Sequence, residues 1–265
     1  MMIPHRLPFL LSLLLAPTTL LASGVNASGA VQGTELYNVG ALNGPVSGSG
    51  SYIGAQWNLQ AASHADYTSW GTYASGHRDD NFSGGMGAGA VTAFALSDDR
   101  VTFSGGTATY TLHYSLEGFL AVDGARFTTA EINFRVRVGG GEVLLFDDVL
   151  RYDDPRGNIV NISRTLASDP FTINDGADAQ LTVNMFSQAI LEGFSGETPD
   201  ATSDFQNTVK FLYFEARDAN GALMSGITAT GETGTVYAVN PVPEPTSLAA
   251  LGIAALVFRR RTTRA

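Results

Sequence analysis

The chain has no cysteine and a single lysine, Lys210, among its 265 residues. Without cysteine an exported chain has no disulfides, so a hydrophobic core must stabilise it. No segment keeps helical periodicity over three turns, and no βα alternation runs through the chain. That excludes bundles and doubly wound sheets. There is no phosphate loop, no dinucleotide fingerprint and no serine in a nucleophile elbow; Gly48-Ser49-Gly50, Gly193-Phe194-Ser195-Gly196 and Gly84–Gly89 are loop composition. Positive charge is scarce as well. With Arg6, Glu244, Arg259, Arg260, Arg261 and Arg264 set aside as parts of removable ends, ten basic and 24 acidic residues remain, a net of −14. A body this acidic argues against nucleic acid and anionic membrane surfaces, and favours solubility outside the cell.

What is present is clearest at the two ends. His5 and Arg6 precede an apolar run, Leu7 to Leu15, which Pro17 breaks. Val25-Asn26-Ala27 and Ser28-Gly29-Ala30 both fit the small-x-small cleavage pattern. Residues 1–27 are therefore expected to be a secretory signal peptide, cut between Ala22 and Ala30. At the other end, Pro243 and Pro245 fix φ and hold Val242 to Pro245 extended around Glu244. An uncharged run follows from Leu248 to Phe258, and then Arg259, Arg260 and Arg261. As a helix the run is ~16 Å long against a hydrocarbon core of ~30 Å, so it spans poorly unless its flanks extend it. The arginines are expected to stay on the cytoplasmic side, leaving the rest of the chain outside.

This tail, residues 242–264, resembles the PEP-CTERM sorting signal of Gram-negative bacteria: Pro243-Glu244-Pro245 as motif, Leu248–Phe258 as apolar helix, Arg259–Arg261 as basic stop. The resemblance implies export, a precursor held in the inner membrane, processing by an exosortase, and delivery to the cell surface or matrix. Proteins with this tail often accompany exopolysaccharide and biofilm production, which makes surface polysaccharide a candidate partner. It implies nothing about the fold of the cargo.

Between the ends the period is two. Ala108, Tyr110, Leu112, Tyr114 and Leu116 alternate with polar neighbours; Ile132, Phe134, Val136 and Val138 alternate with Glu131, Asn133, Arg135 and Arg137. Both are half-buried strands. Gly139-Gly140-Gly141 then turns the chain into Glu142–Phe146, a hairpin. Further strands are expected at Leu36–Val39, Tyr52–Leu59, Ala90–Leu96, Ile159–Leu166, Gln180–Phe186, Val209–Ala216 and Thr235–Val239, and a second hairpin arm at Ala222–Ile227 after the Asp218–Gly221 turn. Many short strands with Gly- and Asp-rich turns predict an all-β chain: a β-sandwich of the jelly-roll kind over residues 51–240, led in by a Gly/Ser-rich segment at 28–50.

Candidate chemistry is sparse. His64, His77 and His113 have no metal-ligand spacing. Acidic pairs recur at Asp79-Asp80, Asp98-Asp99, Asp147-Asp148 and Asp153-Asp154, with Asp175 and Asp178 nearby. Loop carboxylates suit calcium, and Asp147 to Asp154, or Asp79-Asp80-Asn81, could hold one; aspartates also populate turns for their own hydrogen bonds. Trp57, Tyr67, Trp70 and Tyr73 form an aromatic cluster that could stack sugars on a sheet surface or anchor a core. The leading expectation is a non-catalytic structural or adhesive surface component. A carbohydrate-binding module is the alternative, and a secreted hydrolase the third.

Overall fold

The computed structural model describes residues 23–32, 34–42, 44–54, 56–79 and 86–240. The expected signal helix and the whole C-terminal tail lie outside these residues. Two antiparallel sheets pack face to face. The first holds β1 (Gly24–Val31), β2 (Thr34–Ala41), β6 (Met86–Ser104), β8 (Thr129–Val138), β9 (Gly141–Arg151), β12 (Asp178–Phe194), β14 (Thr228–Gly231) and β15 (Val236–Tyr237). The second holds β3 (Val46–Ile53), β4 (Trp57–Ala65), β5 (Ser69–Arg78), β7 (Ala108–Asp123), β10 (Ile159–Ala167), β11 (Phe171–Ile173) and β13 (Asp200–Arg217). With fifteen strands among the described residues the sandwich is larger than the eight of a simple jelly roll.

The first sheet is built on β6 and β12, antiparallel partners from Met86↔Phe194 to Thr102↔Asp178. On the other side of β6 lie β1, opposite Val91–Asp98, and β14, opposite Val101–Ser104. In the second sheet β13 lies between β5 and β7. Its register shifts between Phe205 and Val209.

Period-two alternation places the core where expected. Tyr110, Leu112, Tyr114, Ile132, Phe134 and Val136 are fully buried. Arg135 alternates to the other face, half-exposed, and pairs with Glu142 at 2.9 Å. Tyr114 of the second sheet meets Phe134 of the first edge to face, 5.2 Å between centroids. Phe103 joins Tyr110 and Phe214 across the same interface at 4.7 and 5.2 Å. Gly139 and Gly140, at φ 58° and 85°, make the β8–β9 turn; a side chain there would be strained.

Three local expectations need correction. Tyr52–Leu59 is not one strand: β3 ends at Ile53, and the Gly54 N–H donates to the Trp57 carbonyl as the chain turns into β4. Ala222–Ile227 holds no strand beyond a single bridge at Leu223; β14 begins at Thr228. The 28–50 segment is not a loose lead-in, since β1, β2 and part of β3 fill it. β1 also takes in residues 24–27, which fall inside the expected signal peptide, and buries Val25 and Ala27.

Candidate functional site

The most highly built polar site closes the end of the sandwich from which the tail departs. Strand β6 continues its alternation past Leu96, so Asp99 points inward between Ser97 and Val101 and is 1% exposed. Its Oδ2 accepts from the Tyr237 hydroxyl at 2.8 Å and the Thr233 hydroxyl at 3.2 Å. Burial pushes the carboxyl above its ordinary range, while Tyr237, Thr233 and the backbone N–H groups of Thr233 and Arg100 hold it back. Gly231 passes so close that a Cβ would lie 1.9 Å from Oδ2, which only glycine permits. The Tyr237 ring packs on Phe211 and Phe214, with centroids 5.4 and 5.8 Å away.

Beyond Tyr237 the chain crosses to the other sheet. The Phe214 N–H donates to the Ala238 carbonyl at 2.8 Å, and the Asn240 N–H to the Phe214 carbonyl at 2.6 Å. Asn240 sits at φ 58°, which asparagine tolerates better than most residues. Its Oδ1 accepts from the Ala216 N–H at 2.9 Å, and its Nδ2 donates to the Met224 carbonyl. Residues 228–240 thus form a strap pinned first to the eight-stranded sheet and then to the seven-stranded one. They hold the two sheets together at the point where the tail begins.

The sequence-predicted sites fare differently. The aromatic cluster does not form one surface. Trp70 is fully buried, and its Nε1 donates to the Ser97 hydroxyl across the sandwich at 3.0 Å. Tyr67 is 3% exposed, and its hydroxyl donates to the Leu42 carbonyl at 2.8 Å; burial and the charges of Asp99, Asp66 and Asp98 push that phenol up to about 12. Trp57 is packed against the core, with the Arg78 guanidinium 5.5 Å from its ring centre. Tyr73 alone faces outward, because it lies three residues from Trp70 on an alternating strand. Tyr67 and Trp70 are core anchors and offer no ring face to a sugar.

The Asp147–Asp154 candidate holds a cation of the protein's own. Arg156 donates to Asp148 at 2.8 and 3.0 Å, and to Asp154 at 2.9 and 3.0 Å. These bonds hold the Asp154 carboxyl below its usual range. Asp147 and Asp153 are exposed, and Asp147 lies within β9, opposite Asn133. Among the described residues no group of three or more His, Asp or Glu is placed to hold a metal ion. Asp98 accepts from Gln180 and Thr182, and Asp175 from the N–H groups of Gly105 and Gly106. Asp178 accepts from Thr102 at 2.6 Å. Asp80, Gly84 and Gly85 lie outside the described residues.

His113 stacks on Tyr213 at 4.4 Å, and burial lowers its pKa against the pull of Glu215. Burial likewise lowers His64, with Asp66 opposing. His77 bridges Asp200 at 2.7 Å and Asp79 at 3.2 Å. Burial opposes its charge, but the two carboxylates outweigh it and raise the pKa.

Two buried charges escaped sequence reasoning. Asp99 was legible in principle, since the β6 alternation runs through it. Arg78 closes β5 with no exposed surface and donates to the carbonyls of Gly193, Phe194 and Glu197. No local pattern points to those partners, which lie more than a hundred residues away.

Comparison with known proteins bears on the tail alone. Residues 241–261 match the PEP-CTERM protein-sorting motif. No curated protein and no solved structure matches the chain. The motif marks an exported protein, held at the membrane as a precursor and processed by an exosortase. It begins one residue after Asn240, the last residue of the strap.

Proposed function

We propose that the protein is a non-catalytic component of the cell surface or extracellular matrix of a Gram-negative bacterium, delivered by its PEP-CTERM tail. The observation that supports this most is the body–tail junction. The body ends as a closed unit at Asn240, with both sheets strapped together, and the sorting motif follows with no linker. Trimming within residues 241–261 leaves residues 228–240, and with them the strap, in place. The three parts of the tail have separate roles. Arg259–Arg261 resist passage through hydrocarbon and set the orientation. Leu248–Phe258 gives retention, and Pro243-Glu244-Pro245 gives recognition.

The test is cell fractionation with intact-mass measurement. Replacing Pro243 and Glu244 by alanine leaves a membrane-bound, untrimmed chain. Replacing Leu251 and Leu256 by aspartate releases an untrimmed soluble one. If the first variant is trimmed to the wild-type mature mass, the sorting reading fails. If the processed protein is found only in the periplasm, the surface assignment fails while the sorting reading stands.

A further inference from the structure

We propose that the strap gates the cut: the exosortase takes the sorting motif from chains in which residues 232–240 have peeled off the sandwich. This regulation of the junction rests on the sorting reading above. Reach is the first constraint. Asn240 is pinned to the seven-stranded sheet, and Pro243 follows it closely in sequence. Fully extended, that stretch spans at most ~10 Å. Freed back to Gly231, the chain spans ~40 Å to the same proline.

Main-chain bonding is the second constraint. An enzyme that reads an extended strand does so through main-chain hydrogen bonds. Between the strap and Pro243 lie only Pro241 and Val242, and Pro241 has no N–H to give. Next upstream is Asn240. Its N–H donates to the Phe214 carbonyl, its side chain bonds Ala216 and Met224, and its φ of 58° turns the chain out of the extended form. The Ala238 carbonyl is taken as well, by the Phe214 N–H. A groove longer than the motif itself competes with the body for these groups.

The strap is also built to let go. Of residues 232–240, Tyr237 alone is buried. β15 is two residues long and pairs with β14, and Val236 on it is 76% exposed. Short, little-buried edge pieces open locally at well below the global free energy. What closes this one is the Tyr237 hydroxyl on Asp99 and the Tyr237 ring on Phe211 and Phe214. Closure leaves Asp99 Oδ1 buried with no hydrogen-bond partner among the described residues. Peeling returns water to that oxygen, which offsets part of the loss. β14 keeps its own pairing with β6 while the arm is off.

The test follows the trimming of newly made full-length chain in cells, by pulse labelling and intact mass. A Gly-Ser-Gly-Ser-Gly-Ser insertion between Asn240 and Pro241 leaves every bond of the body in place and supplies reach without peeling. It should speed trimming several-fold. Tyr237→Phe should speed trimming about tenfold in the chain of native length, in proportion to the extra opening, and should have little effect once the insertion is present. Unchanged trimming with the insertion, slower trimming with Tyr237→Phe, or an equal Tyr237→Phe effect in both backgrounds would each overturn the gate. P243A/E244A separates the two readings. If it stays uncut while the insertion has no effect, the gate alone fails; if it is trimmed to the wild-type mature mass, the sorting reading fails and the gate with it.

Discussion

Replacing Tyr237 with phenylalanine tests the strap directly. The ring stays, so packing on Phe211 and Phe214 is kept; what is lost is one donor, 2.8 Å from a carboxylate that is 1% exposed. A hydrogen bond to a charged group contributes ~1.5–3 kcal/mol. The Thr233 hydroxyl still donates to Asp99, so the loss falls short of the ~3–5 kcal/mol for a buried charge stripped of its partner. About 2 kcal/mol is expected near pH 7. The sign with pH follows from linkage. Burial already raises the folded pKa of Asp99, and losing Tyr237 raises it further. In both proteins this group therefore adds stability on acidification, and the variant begins to gain it at higher pH. The deficit is full above the variant's folded pKa and shrinks, as pH falls through it, toward the ~1 kcal/mol of a neutral hydrogen bond. Urea unfolding at pH 7 and pH 4, with hydrogen exchange over residues 228–240, measures both parts. A deficit under ~0.5 kcal/mol at pH 7, or one that grows on acidification, would refute the assignment of Asp99 as the charged anchor of the strap.

Phe134→Ala should cost ~3–5 kcal/mol in denaturant unfolding, because it opens a cavity against Tyr114 between the sheets. Arg135→Ala on the other face should cost under about 1 kcal/mol, since its ion pair with Glu142 is partly exposed. Intact mass should place the mature N-terminus at or before Gly24; a cut after Ala27 would delete half of β1 and unbury its partners on β6, so finding one would remove β1 from the body. His77 has a raised folded pKa, so its contribution is full below the unfolded value of ~6.5 and fades as pH rises through the folded one. The melting-temperature gap between wild type and His77→Gln should accordingly narrow as pH is raised from about 6 to 8, and a gap that widens would count against the His77–Asp200 pair.

The sequence alone determined the properties that are local. Tyr110, Leu112, Ile132, Phe134 and Val136 are buried because side chains alternate on any strand, whatever it pairs with. The β8–β9 hairpin follows from glycines that alone take its positive φ without strain, and the tail carries its motif in one contiguous stretch, residues 241–261. Tertiary structure decided what depends on distant partners. Gly24–Val31 is rich in Gly, Ser, Asn and Ala, and has little strand propensity of its own; it is a strand because β6 offers it a free side. The Asp98-Asp99 and Asp147-Asp148 pairs, which look like turns, lie inside long strands, where neighbours in sequence face opposite ways. One of them, Asp99, is inside only because β14 and β15 return from more than a hundred residues away to cover it. Trp70 and Tyr73 are equally aromatic in sequence, and the side of the sheet that meets its partner sheet buried one and left the other outside. Likewise Phe94 and Phe186 stand 92 residues apart, and only the register of β6 against β12 sets them side by side.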